Sequence, residues 1–183
     1  MTTLLRFEGV ALRRGGRLLF EGLDLALAPG EALQVAGPNG SGKSSLIRLG
    51  AGLLPAERGR VERSPLALAD DNLALDRELP LRRALSFWAS PVEVAIEALG
   101  LTPLSDVPVR LLSSGQLKRA TLARVAASTA RLWLLDEPLN ALDADGAERL
   151  AGLLQKHLAS GGAVLAASHQ PLPGEWRRLE LEP

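Results

Sequence analysis

Residues 37–44, Gly-Pro-Asn-Gly-Ser-Gly-Lys-Ser, have the residue types and the spacing needed to bind phosphate. They match the pattern G-x-x-x-x-G-K-[ST] at every fixed position. The three glycines let the backbone turn tightly, so that successive N–H groups can face phosphate oxygens. Lys43 adds a positive charge for the β- and γ-phosphates, and the Ser44 hydroxyl is suited to bind Mg²⁺. The segment therefore predicts a polyphosphate site, and the alternative is a chance glycine turn.

Carboxylates follow an apolar run farther along the chain. Residues 132–135, Leu-Trp-Leu-Leu, are typical of a strand in a sheet covered on both faces, and Asp136 and Glu137 come directly after them. In a phosphate-loop enzyme a carboxylate at this strand end holds Mg²⁺, directly or through water. A second carboxylate next to it can accept a proton from the attacking water. Asp136 is thus a predicted metal ligand and Glu137 a predicted catalytic base, and the alternative is a plain strand end before a turn.

The elements that would position these residues alternate between strand and helix. A strand before residues 37–44 and a helix after them are the context that the loop requires. Strands around the turn at 14–17 predict an N-terminal antiparallel part, and the later alternation predicts an α/β fold with a mostly parallel sheet. Predicted strands cover residues 4–12, 18–28, 32–36, 59–63, 66–69, 132–135, 163–167 and 176–181, and predicted helices cover 44–54, 114–128 and 145–160.

Residues 70–110 differ from this pattern and predict a small helical insertion. Short helical pieces at 81–89 and 92–99 are separated by prolines at positions 80, 91, 103 and 108. Phe87 and Trp88 are expected to pack in the core of the insertion. The alternative is that this aromatic pair forms part of a docking surface.

Length and composition exclude several classes of protein. The 183 residues suit one domain, residues 1–183, and 46% hydrophobic residues are ample for a core. A formal net charge of zero does not indicate nucleic-acid binding, and no nucleic-acid partner is expected. Cysteine is absent, which excludes disulfides and thiolate metal ligands and fits a reducing compartment. No run is long enough to span a membrane, and the N-terminus lacks a signal-peptide pattern.

The order of the motifs resembles that of the ATP-binding cassette (ABC) family over nearly the whole chain. In that family residues 37–44 correspond to Walker A, and 132–137 to Walker B with the catalytic base. Residues 112–116, Leu-Ser-Ser-Gly-Gln, resemble the signature motif, although a serine at a helix start is ordinarily an N-cap. Ala-Leu-Asp at 141–143 resembles the D-loop, and Ser-His at 168–169 the switch histidine. The resemblance implies a P-loop NTPase with an ABC-type ATPase core.

The resemblance also implies a shared site that one copy cannot complete. Two nucleotide-binding domains of this family pair head to tail, here as an expected homodimer, so that each ATP lies between the Walker A of one copy and the signature of the other. The implied catalytic residues are Glu137 and His169, and Ser44, Asp136 and Asn72 are the implied Mg²⁺ ligands. The implied ATP contacts in the same chain are Gly37, Pro38, Asn39, Gly40, Ser41, Gly42, Lys43, Ser44, Ser45 and Arg14, and those offered to the partner's ATP are Ser114, Gly115, Gln116 and Asp143.

Two positions depart from the family pattern. The Q-loop glutamine is missing, and Asn72 is aligned with it; its stem is one methylene shorter, which puts coupling to the membrane partner in doubt. The aromatic residue that usually stacks on adenine is also absent, and Arg14 stands there. A guanidinium can stack on a base, or Arg14 can be a solvated turn residue, and both interpretations stay open. His157 is expected to be a surface residue on the exposed side of its helix.

Within the family, the chain is most similar to the ATP-binding subunits of bacterial haem exporters of cytochrome c maturation. The similarity lies in Trp133, in the Asp-Glu-Pro that follows, and in His-Gln-Pro-Leu at 169–172. It implies a peripheral subunit on the cytoplasmic face of the inner membrane that works with integral membrane subunits, with no direct haem contact. The alternatives are the ATPase subunit of another exporter, a regulatory module with little turnover, and a soluble cassette protein acting on ribosomes or DNA. The last usually carries tandem cassettes or long coiled-coil insertions, and neither is present.

Overall fold

The computed structural model describes residues 3–182, and it contains two sheets. The strands are β1 (Leu5–Arg14), β2 (Arg17–Leu27), β3 (Ala32–Ala36), β4 (Arg58–Arg63), β5 (Leu66–Ala69), β6 (Leu132–Asp136), β7 (Ala163–Ala167) and β8 (Arg177–Glu180). The helices are α1 (Lys43–Gly50), α2 (Leu81–Ser86), α3 (Glu93–Ala98), α4 (Ser114–Ala127) and α5 (Ala144–Ala159), with two short 3₁₀ turns at Thr102–Leu104 and Val109–Leu111. Within residues 3–182, no helix is long and apolar enough to cross a membrane.

The sheet topology confirms the predicted fold class. Strands β2, β1 and β4 form an antiparallel sheet, and β5, β6, β7, β3 and β8 form a second sheet in that order, with every pair parallel. In a parallel sheet all carboxyl ends lie at one edge. The loop after β3, the carboxylates after β6 and the histidine after β7 therefore meet at the same edge.

Strands β3, β6 and β7 of the parallel sheet are buried on both faces, because nearly all of their residues are apolar. Alternate residues of β6 and β7 belong to different cores, as the period of a strand requires. Trp133 and Leu135 pack toward α4, α5 and the insertion, whereas Leu132 and Leu134 pack toward α1 and the antiparallel sheet. Gly50, at the end of α1, faces the second core, where a Cβ would make ordinary van der Waals contact with Phe7 and Leu134 at 3.6 Å.

The predicted bounds agree best with the structure for the buried strands and least well for the helix ends. Strands at 32–36, 66–69 and 163–167 have the predicted bounds. The helix expected to reach residue 54 ends at Gly50, and Gly52 then takes a left-handed φ of +78°. A residue in that conformation ends a helix.

Two predictions about side-chain burial were wrong. Phe87 and Trp88 are 82% and 48% exposed, because α2 ends at Ser86 and buries Leu81, Ala84 and Leu85 instead. His157 is half-buried rather than fully exposed, because its ring stacks on Trp133 with centroids 3.7 Å apart and planes inclined by 13°.

Candidate active site

Residues 37–44 form a loop between β3 and α1 whose backbone conformation depends on glycine. Gly42 is the N-cap of α1 at a φ of +104°, in the left-handed region that favours glycine. A Cβ on Gly37 would lie 2.5 Å from the carbonyl oxygen of Leu181, which is too close. The loop therefore directs its N–H groups and the positive end of α1 into one concave site, which suits an anion.

The ammonium of Lys43 lies against this loop. Its Nζ donates to the carbonyl oxygens of Gly37 (2.8 Å) and Pro38 (3.0 Å). Lys43 is 7% exposed, so its charge is held close to the loop. A lysine beside inward-facing backbone N–H groups is the arrangement that stabilises the β- and γ-phosphates of a nucleotide.

Ser44 and Asp136 meet across the carboxyl ends of β3 and β6. The Ser44 hydroxyl donates to Asp136 Oδ1 at 3.0 Å, and Asp136 Oδ2 is buried without a hydrogen-bond partner among residues 3–182. Burial raises the pKa of Asp136, the hydrogen bond from Ser44 opposes this, and the charge of Asp71 raises the pKa further. A buried carboxylate with a free oxygen beside a hydroxyl fits Mg²⁺, which is held by one or two protein oxygens and completed by phosphate and water.

Glu137 has an uncommon backbone conformation, with a φ of +45°. Its Oε2 accepts a hydrogen bond from His169 Nδ1 at 2.9 Å. Carboxylate and imidazole therefore lie side by side at the mouth of the loop, Glu137 after β6 and His169 after β7. A carboxylate paired with a histidine in this position can receive a proton from a water molecule, and the histidine can donate to a phosphate oxygen.

One cavity of about 530 Å³ joins these groups. Most of the predicted same-chain ATP contacts line it, and so do Glu137 and His169. Two lining residues, Leu19 and Asn140, were not predicted. Arg14 lies at this cavity and its guanidinium donates to Ser45 Oγ at 3.4 Å. The other lining residues are Asn39, Gly40, Gly42, Lys43, Ser44 and Ser45.

The loop that carries His169 is held by a residue that sequence reasoning missed. Gln34, in β3, is 5% exposed, and its Nε2 donates to the carbonyl oxygens of Ser168 (3.2 Å) and Gln170 (2.8 Å). Its Oε1 accepts from the N–H of Leu172 at 3.4 Å. The signal was a glutamine inside an otherwise apolar buried strand, since a buried amide must find partners.

A family model described as "ABC transporter" matches residues 20–140 of this chain. The chain belongs to the ABC transporter family. Among curated relatives, the cytochrome c biogenesis ATP-binding export protein CcmA of Sphingopyxis alaskensis is 55% identical over 177 residues, covering 92% of this chain and 91% of the relative. The protein of the same name from Novosphingobium aromaticivorans is 56% identical over 169 residues, covering 89% and 87%.

Solved structures of the ABC family have the same fold. The ATP-binding subunit of an ABC transporter superposes with a TM-score of 0.84 at 21% identity, covering 91% of this chain and 80% of that one. The cbiO1 protein from Clostridium perfringens, part of the ABC transporter complex cbiONQ, gives 0.75 at 24% identity, covering 92% and 79%. The family and the ABC-type ATPase core expected from the motifs are thereby confirmed.

The ABC signature segment lies at the start of α4, where Ser113 and not Ser114 is the N-cap. The Ser113 hydroxyl accepts from the N–H of Gln116 (3.3 Å), and Gln116 Oε1 accepts from the N–H of Ser113 (2.8 Å). Ser114 is exposed and free of this capping box, so its hydroxyl is available to another molecule. The side chain of Gln116 is already occupied by the cap. Gly115 packs on the D-loop, because a Cβ there would lie 2.7 Å from the carbonyl oxygen of Ala141.

Asp143, the predicted D-loop contact, is the N-cap of α5. Its Oδ1 accepts from the N–H of Gly146 at 2.8 Å, as an N-cap carboxylate does. Ala141, two residues before it, has a φ of +64°, so the D-loop contains a non-glycine residue in the left-handed region. The capping bond fixes the start of α5 and the direction in which the chain passes from the D-loop into this helix.

Asn72, which is aligned with the Q-loop glutamine, lies in the segment after β5 and is hydrogen-bonded to a neighbouring carboxylate. The Asn72 side chain donates to Asp70 Oδ2 at 2.8 Å, and its N–H donates to Oδ1 at 3.1 Å. Asp71 is the residue of this segment whose charge acts on both Asp136 and Lys118. A cavity of about 320 Å³ is lined by Asp71, Lys118 and other residues of the insertion, α4 and the D-loop, namely Asp70, Leu73, Ser114, Leu117, Thr121, Asn140 and Ala141.

Proposed function

We propose that this chain is the ATP-hydrolysing subunit of a membrane exporter in cytochrome c maturation, the haem exporter complex. The observation that carries the proposal is the single cavity in which the phosphate loop, Glu137 and His169 meet. The CcmA proteins, which are named as ATP-binding export proteins of cytochrome c biogenesis, supply the biological setting. Residues 1–183 act in this proposal as one nucleotide-binding domain, with the helical insertion at about 70–110.

Each group of the cavity has a part in hydrolysis. The loop N–H groups and Lys43 bind the β- and γ-phosphates. Ser44 and Asp136 hold Mg²⁺, which when bound neutralises charge that develops on the phosphates. Glu137 accepts a proton from the attacking water. His169 keeps Glu137 in place through Nδ1 and, when Nε2 also carries a proton, donates to a γ-phosphate oxygen. Asn72 stays a predicted metal contact, which requires its amide to leave Asp70.

The partners in this proposal are a second copy of the chain and integral membrane subunits. The second copy offers Ser114, Gly115, Gln116 and Asp143 to the γ-phosphate site, so that hydrolysis requires a homodimer. The exposed Phe87 and Trp88 are apolar surface that a membrane subunit can cover. The chain then lies peripherally on the cytoplasmic face of the inner membrane.

The proposed catalytic base is tested by Glu137→Gln. The variant keeps the shape of the side chain but cannot accept a proton, so we expect turnover to fall by about 10²- to 10⁴-fold while ATP still binds. Phosphate release and ATP affinity are measured on the same preparations. Turnover equal to that of the wild type would contradict the assignment.

The membrane setting needs a separate measurement. Co-purification with the membrane subunits and the haem chaperone of cytochrome c maturation is expected, whereas capture by the membrane subunits of a different exporter would favour the alternative. A regulatory module with little turnover is the second candidate, because the Q-loop glutamine is missing. That candidate requires a wild-type chain that binds ATP but releases no phosphate.

A further inference from the structure

Lys118 joins the signature helix to the strand that carries the catalytic carboxylates. It lies one helical turn after Ser114, on α4. Its Nζ donates to the backbone carbonyl oxygen of Asp136 at 3.1 Å. The helix whose start is offered to the partner's nucleotide is thus bonded to the peptide that leads into Glu137.

This peptide is held at both of its polar groups. The carbonyl of Asp136 accepts from Lys118, and the N–H of Glu137 donates to the carbonyl oxygen of Ala167 at 2.8 Å. Rotation of the peptide plane would change the φ of Glu137, which lies at +45°. Because a non-glycine residue keeps a left-handed conformation only where its surroundings enforce it, these two hydrogen bonds help to fix the backbone that carries the Glu137 carboxylate.

Lys118 is partly buried and is surrounded by carboxylates. Burial lowers the pKa of Lys118, and the carboxylates of Asp71, Asp136, Glu137 and Asp70 oppose this, with Asp71 the strongest of them. Asp71 and Lys118 line the same cavity of about 320 Å³. The carboxylate of Asp71 therefore lies where it can attract the side chain of Lys118 across this cavity.

We propose that Lys118 is a positioning residue that orients the Asp136–Glu137 peptide for catalysis and ties that orientation to the position of Ser114. The inference rests on the proposed function. Ser114 and Lys118 lie on one face of a rigid helix, so a shift of Ser114 toward the partner's γ-phosphate moves Lys118 as well. Each protomer thereby links the ATP site of its partner to its own catalytic base, and the two sites are coupled.

The test compares two identical substitutions in the full chain. Lys118→Met keeps the length of the side chain and removes the donor, and Lys156→Met makes the same change on the exposed face of α5. For Lys118→Met we expect kcat to fall about 10- to 100-fold with KM for ATP within about twofold, the scale of a misplaced catalytic group. We also expect the Hill coefficient for ATP to fall toward one, and Lys156→Met to match the wild type in all three values.

A conservative variant separates positioning from a general effect on folding. Lys118→Arg retains a charged donor, so we expect it to recover kcat to within about tenfold of the wild type. Thermal unfolding identifies any variant that has lost its fold; if Lys118→Met is one, Lys118→Arg and Asp71→Asn are compared instead. Asp71→Asn removes the opposing carboxylate, and we expect a smaller loss in kcat and again no change in KM.

The outcomes distinguish this inference from the proposed function. A wild-type chain without ATP hydrolysis would contradict the proposed function itself. A wild-type chain that hydrolyses ATP, with Lys118→Met or, where that variant is unfolded, Asp71→Asn at the same kcat and the same Hill coefficient, would overturn the role of Lys118 alone. A loss that appears only in KM would equally overturn it, because positioning of the base acts on kcat.

Discussion

At the scale of single residues, the site combines a strained backbone with strong local hydrogen bonds. Glu137 and Ala141 both have positive φ angles without being glycine. Such a conformation costs of the order of 1 kcal/mol or more per residue and is kept only where other contacts enforce it. The N–H of Glu137 is bonded to Ala167, and Asn140 is bonded back to the carbonyl of Glu137 at 3.2 Å. The turn after β6 therefore holds the Glu137 carboxylate in a position that an unstrained backbone would not give it.

The charge of Lys43 gives the first prediction at this scale. Lys43→Ala removes a nearly buried ammonium that lies against the phosphate loop. We expect ATP affinity, measured by calorimetry, to fall by about 100-fold, the scale of a lost hydrogen bond to a charged group. The exposed Lys156→Ala is the control and should bind ATP as the wild type does. Equal affinities in the two variants would contradict the role of the loop.

The residues of the site could be predicted where a motif specifies them, but not where their role depends on packing. The phosphate loop, Asp136 and Glu137 follow from residue types and spacing, and His169 follows from the resemblance to the ABC family. Nine predicted residues line one cavity with Leu19 and Asn140. Gln34 was missed because one polar residue in a strand says nothing about the loop that it will hold. The hydrogen bonds from Asn72 to Asp70 were not predicted, because polar residues close together in a turn can bond to one another in several ways. Only the fold decides which of these residues faces the site.

At the scale of elements, Trp133 and His157 connect β6 to α5. The rings stack, and His157 Nε2 contacts the carbonyl oxygen of Arg131 at 3.1 Å. Gly162 leaves room for the imidazole, since a Cβ there would overlap the ring. Trp133 is 5% exposed, so the stack closes the end of the core opposite to the phosphate loop.

The stack predicts a dependence of stability on pH. Burial lowers the pKa of His157 below its ordinary value of 6.5, so near that pH the unfolded chain takes up a proton more readily than the folded one. The contribution of His157 is therefore complete above about pH 6.5 and is lost as the pH falls toward the lower folded pKa. We expect the urea midpoint to fall more between about pH 7.5 and pH 5.5 in the wild type than in His157→Gln.

Another position on α5 provides the control for that measurement. Gln155 is exposed on the same helix and carries no titratable group. Gln155→Ala should keep the pH dependence of the wild type. If His157→Gln instead loses stability with acidification as steeply as the wild type, the titration of His157 is not the cause.

The elements themselves were predictable in kind, whereas the ends of α1 and α2 were not. Buried strands have apolar runs bounded by turn residues, so their limits can be read from the sequence. Phe87 and Trp88 were misplaced because apolar character alone does not show on which side of a helix end a residue will lie. His157 was misplaced because its burial depends on Gly162, five residues later and beyond the end of α5.

At the scale of the whole molecule, one copy of the chain carries two separate parts of the proposed ATP site, the phosphate loop and the signature segment. The cavity with the phosphate loop contains no residue of the signature segment, and Ser114 lines a different cavity with Asp71 and Lys118. Asn140 lines both cavities, so the turn after β6 lies between the two halves. In the proposed homodimer, a second copy supplies the helix end at Ser114 to a nucleotide bound by the phosphate loop. This arrangement supports a head-to-tail homodimer as the active form.

The dimer is tested in a background that binds ATP without turning it over. In Glu137→Gln, ATP should drive a shift from monomer to dimer on a sizing column, since the bound nucleotide joins the two copies. Ser114→Arg adds a bulky cation at an exposed position that does not cap its helix, so we expect the dimer to be lost while each copy still binds ATP. Ser86→Arg, the same change on an exposed serine of α2, should leave the dimer intact. A dimer that persists in Ser114→Arg would mean that the signature segment does not lie at the interface, because no shared γ-phosphate site has space for the added side chain.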